Sequence, residues 1–198
     1  MSNGFCFQSI LNLWKYPLFL LSLNNNTKIL LSSDVGRLLR IPNGCASLFL
    51  CFSVVLTNRN VCSIYLFRVD VCKWFRKILS ILFHCNRNIE IIVPREKCGP
   101  GLIIYHNLGS IIRAKQVGRN CTISQGVTIG EGGSWDSTNN ENIPTIGDNV
   151  LIATNSVVIG NISIGDNSII GAGSVVTKDV PPKAVVVGNP QKILRYQT

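Results

Sequence analysis

His106, one of two histidines in the chain, stands in LIIYHNLGSII (residues 102–112), just ahead of a long stretch of Ile, Val, Gly and Asn that holds no other. A lone imidazole there is either a packed core group or a general base. The second role suits its chemistry, because a neutral imidazole can take a proton near neutral pH. The other histidine, His84 in ILFHCN, reads as part of a helix. Eight cysteines (6, 45, 51, 62, 72, 85, 98 and 121) form no CxxC pair and sit among apolar neighbours. Metal-ligand spacing is absent, so no metal site is expected. Buried free thiols in a reducing cytoplasm are expected instead.

The elements around His106 follow from two different patterns. In VDVCKWFRKILSILFHC (69–85), Val71, Trp74, Phe75, Ile78, Ile81 and Leu82 recur at steps of three or four, with Lys73, Arg76 and Lys77 between them. That spacing predicts an amphipathic helix. It either packs on other helices or lies on a membrane surface. NNN (24–26) and IPNG (41–44) read as turns. Residues 1–98 are therefore expected to form a helical and irregular region.

From about residue 99 an aliphatic residue recurs every six positions. Ile146, Ile152, Val158, Ile164, Ile170 and Val176 keep this step without a slip, and Ile111, Val117, Ile123 and Ile129 carry it upstream. A fixed internal period outranks local propensity. Side chains pointing inward every six residues, with Asn and Gly at the bends, predict triangular coils stacked into a parallel β-helix over 99–198. The step from Ile129 to Ile146 contains GEGGSWDSTNNENIP, a polar Gly-rich segment expected to protrude as a loop over about 130–144, with Trp135 on it. A C-terminal tail follows the repeats.

Composition excludes several classes. Apolar residues make up 46% of the chain, too many for disorder. The net charge of +9 is concentrated early: residues 1–98 hold 12 Lys and Arg against 4 Asp and Glu, and residues 99–198 hold 7 against 6. The bases are scattered and no nucleic-acid motif is present, so nucleic acid is not an expected partner. Peripheral membrane contact through the basic half and a solvated helical face both fit this charge. CASLFLCFSVVL (45–56) falls well short of the roughly 20 residues needed to span a bilayer. The N-terminus lacks an early basic cluster, so no secretory signal is expected.

Together GPGLIIYHNLGSII, VGRNCTISQGVTIG, PTIGDNV and IGAGSVVTKDVPPKAVVVGNPQKILR resemble the hexapeptide-repeat acyltransferases, in their serine acetyltransferase-like branch. The resemblance covers about Glu90 to Arg195. It implies a left-handed handedness for the β-helix, an N-terminal helical cap, acetyl-coenzyme A as co-substrate and a homotrimer with sites between subunits. By the same resemblance His106 is the catalytic base, and Glu90, one residue off the family's position, is the carboxylate that orients it. Gly130, Thr154 and Ala172 match positions along the pantetheine arm, although tight turns also call for small residues. Lys192 and Arg195 match a basic patch that meets coenzyme A phosphates. Two departures stand out. Tyr105 replaces an Asp that helps hold the amino acid, and NENIPTI lacks the family's second His and its preceding Arg. On these grounds the expected acceptor is a sugar or polyol of surface polysaccharide synthesis. Serine O-acetylation for cysteine synthesis is the alternative, and a non-catalytic scaffold is a further one. Related zinc hydratases need three histidines per site, more than this chain holds.

Overall fold

The computed structural model describes residues 12–42, 44–85, 89–106, 108–133 and 142–198. The chain divides into two compact units, the first ending at Arg87 and the second beginning at Asn88. The sequence places the division eleven residues later, at 98/99. The difference arises because IEII (89–92) keeps no hexapeptide phase, yet it forms a strand, β1 (Ile89–Ile92), parallel to β3 (Ser110–Arg113).

The first unit contains five helices among its described residues: α1 (Tyr16–Leu21), α2 (Asn25–Leu38), α3 (Leu48–Thr57), α4 (Arg59–Arg68) and α5 (Lys73–Leu82). Asn24, expected in a turn, instead caps α2, its side chain accepting from the Thr27 N–H at 2.8 Å. Ser47 and Asn58 cap α3 and α4 in the same way, satisfying N–H groups that a helix start leaves unpaired. The core is aromatic: Phe19, Phe52, Tyr65 and Phe83 meet with ring centroids 5.3–6.5 Å apart. Arg68 on α4 makes a buried two-pronged ion pair with Asp34 on α2, at 3.0 and 3.2 Å. α5 turns Leu79 into this core, with Phe75 and Leu82 packed beside it. Lys15 Nζ donates to the carbonyl of Leu82 at 2.8 Å, and burial lowers the pKa of its amine.

The cysteine expectation needs correction. Cys62 and Cys85 are joined by a disulfide across a Cα separation of 5.3 Å, while Cys45, Cys51, Cys72, Cys98 and Cys121 take part in no disulfide. No spacing rule reveals this pair, because packing of α4 against the segment after α5 brings the two together. Among the described residues no helix is long and apolar enough to cross a membrane.

The second unit is a parallel β-helix with three faces. Face 1 stacks β1, β3, β6 (Thr128–Gly130), β9 (Val157–Ile159) and β12 (Val175–Val176). Face 2 stacks β4 (Gln116–Val117), β7 (Thr145–Ile146) and β10 (Ser163–Ile164). Face 3 stacks β2 (Ile103–Ile104), β5 (Thr122–Ile123), β8 (Leu151–Ile152), β11 (Ile169–Ile170) and β13 (Ala184–Val187). Strand register lines up three interior columns. Ile112, Ile129, Val158 and Val176 form one, Val117, Ile146 and Ile164 the second, and Ile104, Ile123, Ile152, Ile170 and Val186 the third. All are nearly inaccessible to solvent. The hexapeptide phase slips by one at its first coil: Ile111 is 44% exposed, and its neighbour Ile112, 1% exposed, enters the column.

The bends require left-handed backbone, which costs ordinary L-residues about 1–2 kcal/mol and suits Asn and Gly. At the turn from face 2 to face 3, Asn120, Asn149 and Asn167 all have φ between 54° and 58°. Their side chains form a ladder, Asn120 donating to Asn149 at 3.2 Å and Asn149 to Asn167 at 3.1 Å. The insertion falls between β6 and β7 and lengthens one coil: Ile129 pairs with Val158, 29 residues on, whereas Val158 pairs with Val176, 18 residues on. Its base closes through Gly132 N–H to the Asn142 carbonyl at 3.1 Å. Trp135 lies outside the described residues. The C-terminal tail is a strand, β14 (Lys192–Tyr196), antiparallel to β13.

Ile152→Ala is expected to lower stability by about 2–5 kcal/mol, read by chemical denaturation; a loss under about 1 kcal/mol would remove Ile152 from a packed interior. In the first unit, burial pushes the Cys51 thiol up to about 12, with the Asp34 charge adding to it. Burial likewise pushes Tyr65 up to about 12, against a lowering by its hydrogen bond to Ser22. Their ordinary values are 9.0 and 10.0, so unfolded chains lose these protons first. The stability they contribute is complete below pH 9.0 and is lost as pH rises toward 12. Urea midpoints should therefore fall between about pH 8 and about pH 10.5, and less steeply in Cys51→Val; equal slopes in both proteins would refute the assignment.

Candidate active site

Between β2 and β3 the chain turns from face 3 to face 1, and His106 sits on that turn. Its backbone is left-handed at φ +48° and it is exposed to solvent. A tight turn follows, the Leu108 N–H donating to the His106 carbonyl, and Gly109 has φ +67°. Histidine adopts this backbone more readily than most side chains, as His84 also does, so the bend fixes where the exposed imidazole stands. Tyr105, 42% exposed, precedes it and ties the turn down through its N–H to the Ile123 carbonyl at 2.9 Å.

Below His106 the same corner repeats down the coils. Gly126 N–H donates to the Leu108 carbonyl at 3.0 Å, Asn155 N–H to Gln125 at 3.0 Å, and Gly173 N–H to Thr154 at 2.9 Å. Thr154 and Ala172 therefore stand on the His106 corner, one and two coils beyond the Gln125–Gly126 turn. Lys192 pairs with Val187, which directly follows Val186, acceptor of the Gly171 N–H. It is thus at the foot of this corner, while Arg195 lies further along β13, opposite Val185. Both side chains are exposed.

Two sequence-selected residues are placed elsewhere. Glu90 lies on β1 opposite Ile111, on the outer side of face 1, and among the described residues no hydrogen bond or ion pair joins it to His106. Gly130 ends β6 at the far side of face 1. A side chain at Gly130 would meet nothing within 4 Å and its φ is not left-handed, so neither packing nor turn geometry demands glycine there.

Sequence reasoning missed a charged cluster beside Gly130. Arg113, at the end of β3, pairs with Glu131 at 3.0 Å, the two side chains 32% and 20% exposed. The pair spans adjacent coils, and its spacing of 18 positions, about one coil length, is the signal that could have revealed it. Arg113 also lines a cavity of about 510 Å³ together with Lys97, Lys115 and Ile143. Ile143 belongs to NENIPTI, and it is buried in this wall.

A family model described as bacterial transferase hexapeptide (six repeats) matches residues 143–178. Serine acetyltransferase of Bacillus subtilis is 36% identical over 150 residues, covering 72% of this chain and 67% of that protein. The chain belongs to the hexapeptide-repeat acyltransferases, in their serine acetyltransferase-like branch. The mitochondrial serine acetyltransferase 3 of Arabidopsis thaliana is 44% identical over 124 residues, 60% of this chain and 31% of that one. The crystal structure of Neisseria gonorrhoeae serine acetyltransferase in complex with serine superposes with a TM-score of 0.64 at 28% identity, covering 89% of this chain and 72% of that chain. The β-helix is thereby left-handed, with a helical region before it. The chain spans from about a third to two thirds of the length of the curated relatives it matches.

These relatives overturn the expectation of a sugar or polyol acceptor. That expectation rested on charges missing at Tyr105 and in NENIPTI. Two missing contacts do not define a pocket, and Ile143 itself lines a cavity with Lys97, Arg113 and Lys115.

His106→Gly is expected to leave the melting temperature unchanged or to raise it, since glycine relieves the left-handed strain and the imidazole is exposed. A drop equivalent to more than about 1 kcal/mol would make the histidine part of the scaffold.

Proposed function

We propose that this chain transfers the acetyl group of acetyl-coenzyme A to the side-chain hydroxyl of L-serine. The observation that carries the reading is an exposed imidazole held in left-handed backbone at a coil corner, on a chain similar to serine acetyltransferases. The serine hydroxyl is too weak a nucleophile at neutral pH to attack the thioester unaided. His106 takes its proton as the oxygen bonds to the thioester carbon, a contribution of about 10²–10⁴-fold. The tetrahedral oxyanion needs hydrogen-bond donors. Its collapse breaks the carbon–sulfur bond, and the imidazolium returns the proton to the departing thiolate. No covalent enzyme intermediate is required, because the thioester is already activated.

Thr154, Ala172 and Lys192 follow one another down the His106 corner, an arrangement that suits a pantetheine arm ending at a basic group. Gly130, with open space where a side chain would project, suits close approach of the same cofactor, and Arg195 a phosphate. Tyr105 is proposed to contact the acceptor. Gly130 lies across face 1 from His106, so its proposed role requires the homotrimer that the family resemblance implies, with a neighbouring copy completing each site; Glu90, opposite Ile111 near the start of face 1, is proposed to orient His106.

The test is release of free thiol from acetyl-coenzyme A with L-serine as acceptor. His106→Ala is expected to lower kcat by at least about 10²-fold while coenzyme A binding persists. A near-normal rate in the variant would end the general-base assignment, and wild-type protein that binds acetyl-coenzyme A without turning over serine would end the acceptor assignment.

A further inference from the structure

α5 carries apolar residues on two sides. Phe75, Leu79 and Leu82 pack into the aromatic core. Trp74, Ile78 and Ile81 follow one another at steps of four and three, which sets them on a second stripe of the same helix. That stripe faces away from the core: Trp74 is 72% and Ile81 65% exposed, and Ile78 between them is half-buried. Exposed Lys73 and Lys77 run beside it. Trp14, also exposed, stands at the C-terminal end of α5, because its neighbour Lys15 donates to the Leu82 carbonyl. A helix that already fills the core with one stripe has no structural need of a second, so this one calls for an occupant.

The charge of the first unit selects that occupant. Residues 1–87 hold ten Lys and Arg against Asp34 and Asp70, a net charge of +8. The stretches outside the described residues, 1–11, 43 and 86–88, contribute Arg87 to this count and no acid. Asp34 is buried against Arg68, which leaves Asp70 as the one acidic side chain of the unit outside that pair. A second copy would bring another +8 to the same stripe, and like charges oppose such a contact. An anionic surface is drawn to it instead.

We propose that α5 docks on an anionic membrane surface, with Trp74, Ile78 and Ile81 entering the headgroup boundary and Lys73 and Lys77 meeting the lipid anions. A ten-residue helix is about 15 Å long. It is far too short to cross a bilayer, and its outward ridge suits a soft planar surface that it can lie along. Tryptophan favours this boundary, since its ring is apolar and its N–H finds a polar partner there. Lysine stems lie along apolar surface while their ammonium groups reach the headgroups. The contact concerns the first unit and is independent of the acetyl-transfer reading.

The experiment is co-sedimentation of the full chain with vesicles of phosphatidylcholine, alone or mixed with phosphatidylglycerol. The chain is expected to bind the mixed vesicles far more tightly than the neutral ones, and less tightly as salt rises. Replacing both lysines, Lys73→Gln with Lys77→Gln, should weaken binding by about 10- to 100-fold. Trp74→Gln with Ile81→Gln should weaken it by at least about 10-fold, which separates this stripe from diffuse attraction to the charge of the unit. All four side chains are exposed, so both double variants should keep the wild-type melting temperature. Wild-type protein that stays in solution with the mixed vesicles overturns the proposal. Binding that the folded Trp74→Gln, Ile81→Gln protein retains in full also overturns it, whatever the lysine variant does. An oligomer that this variant takes apart, with no vesicle binding, gives the stripe to a second copy and overturns it as well.

Discussion

Every coil of the β-helix must place one aliphatic side chain per face directly under the one before it. This requirement of register governs the second unit. Backbone hydrogen bonds between coils run only if the strands align, and they align only if each bend uses the same few residues. The Asn120–Asn149–Asn167 ladder shows how sequence meets the demand, since asparagine both tolerates left-handed backbone and bonds to its counterpart one coil away. A rigid column of bends leaves one place for variation, which is outward. The His106 turn occupies such a place.

The period of six made the β-helix legible because it is an absolute spacing that survives any detail of packing. Ile146 through Val176 fall in the interior as read. The phase failed where the coil begins, at Ile111 and Ile112, because the turn carrying His106 is not a standard bend. The first unit was less legible. Amphipathic spacing marked α5, but nothing local joins Cys62 to Cys85 or Asp34 to Arg68, since each pairing exists only after separate helices pack. β1 went unseen for the same reason: four apolar-rich residues acquire strand character only by lying beside β3.

For the site, sequence located the single histidine that stands exposed on a coil corner, and by resemblance placed Thr154 and Ala172 below it. It judged the acceptor from what Tyr105 and NENIPTI lack, and relatives corrected that judgement. An absence at two positions carries less weight than similarity that runs along most of the chain. The Arg113–Glu131 pair went unseen in one dimension because its members become neighbours only through coil stacking.

β14 carries one more consequence. A stack of near-identical parallel coils has no natural end, and its last open edge offers the same hydrogen-bonding pattern as every edge before it. Unprotected, such an edge would recruit another molecule and grow into a filament. Here the chain doubles back and lays an antiparallel strand on β13, while the Gln191 side chain accepts from the Thr177 and Lys178 N–H groups at 2.8 and 2.9 Å. The reversed direction presents, on that face, a pattern that a further parallel coil would not continue.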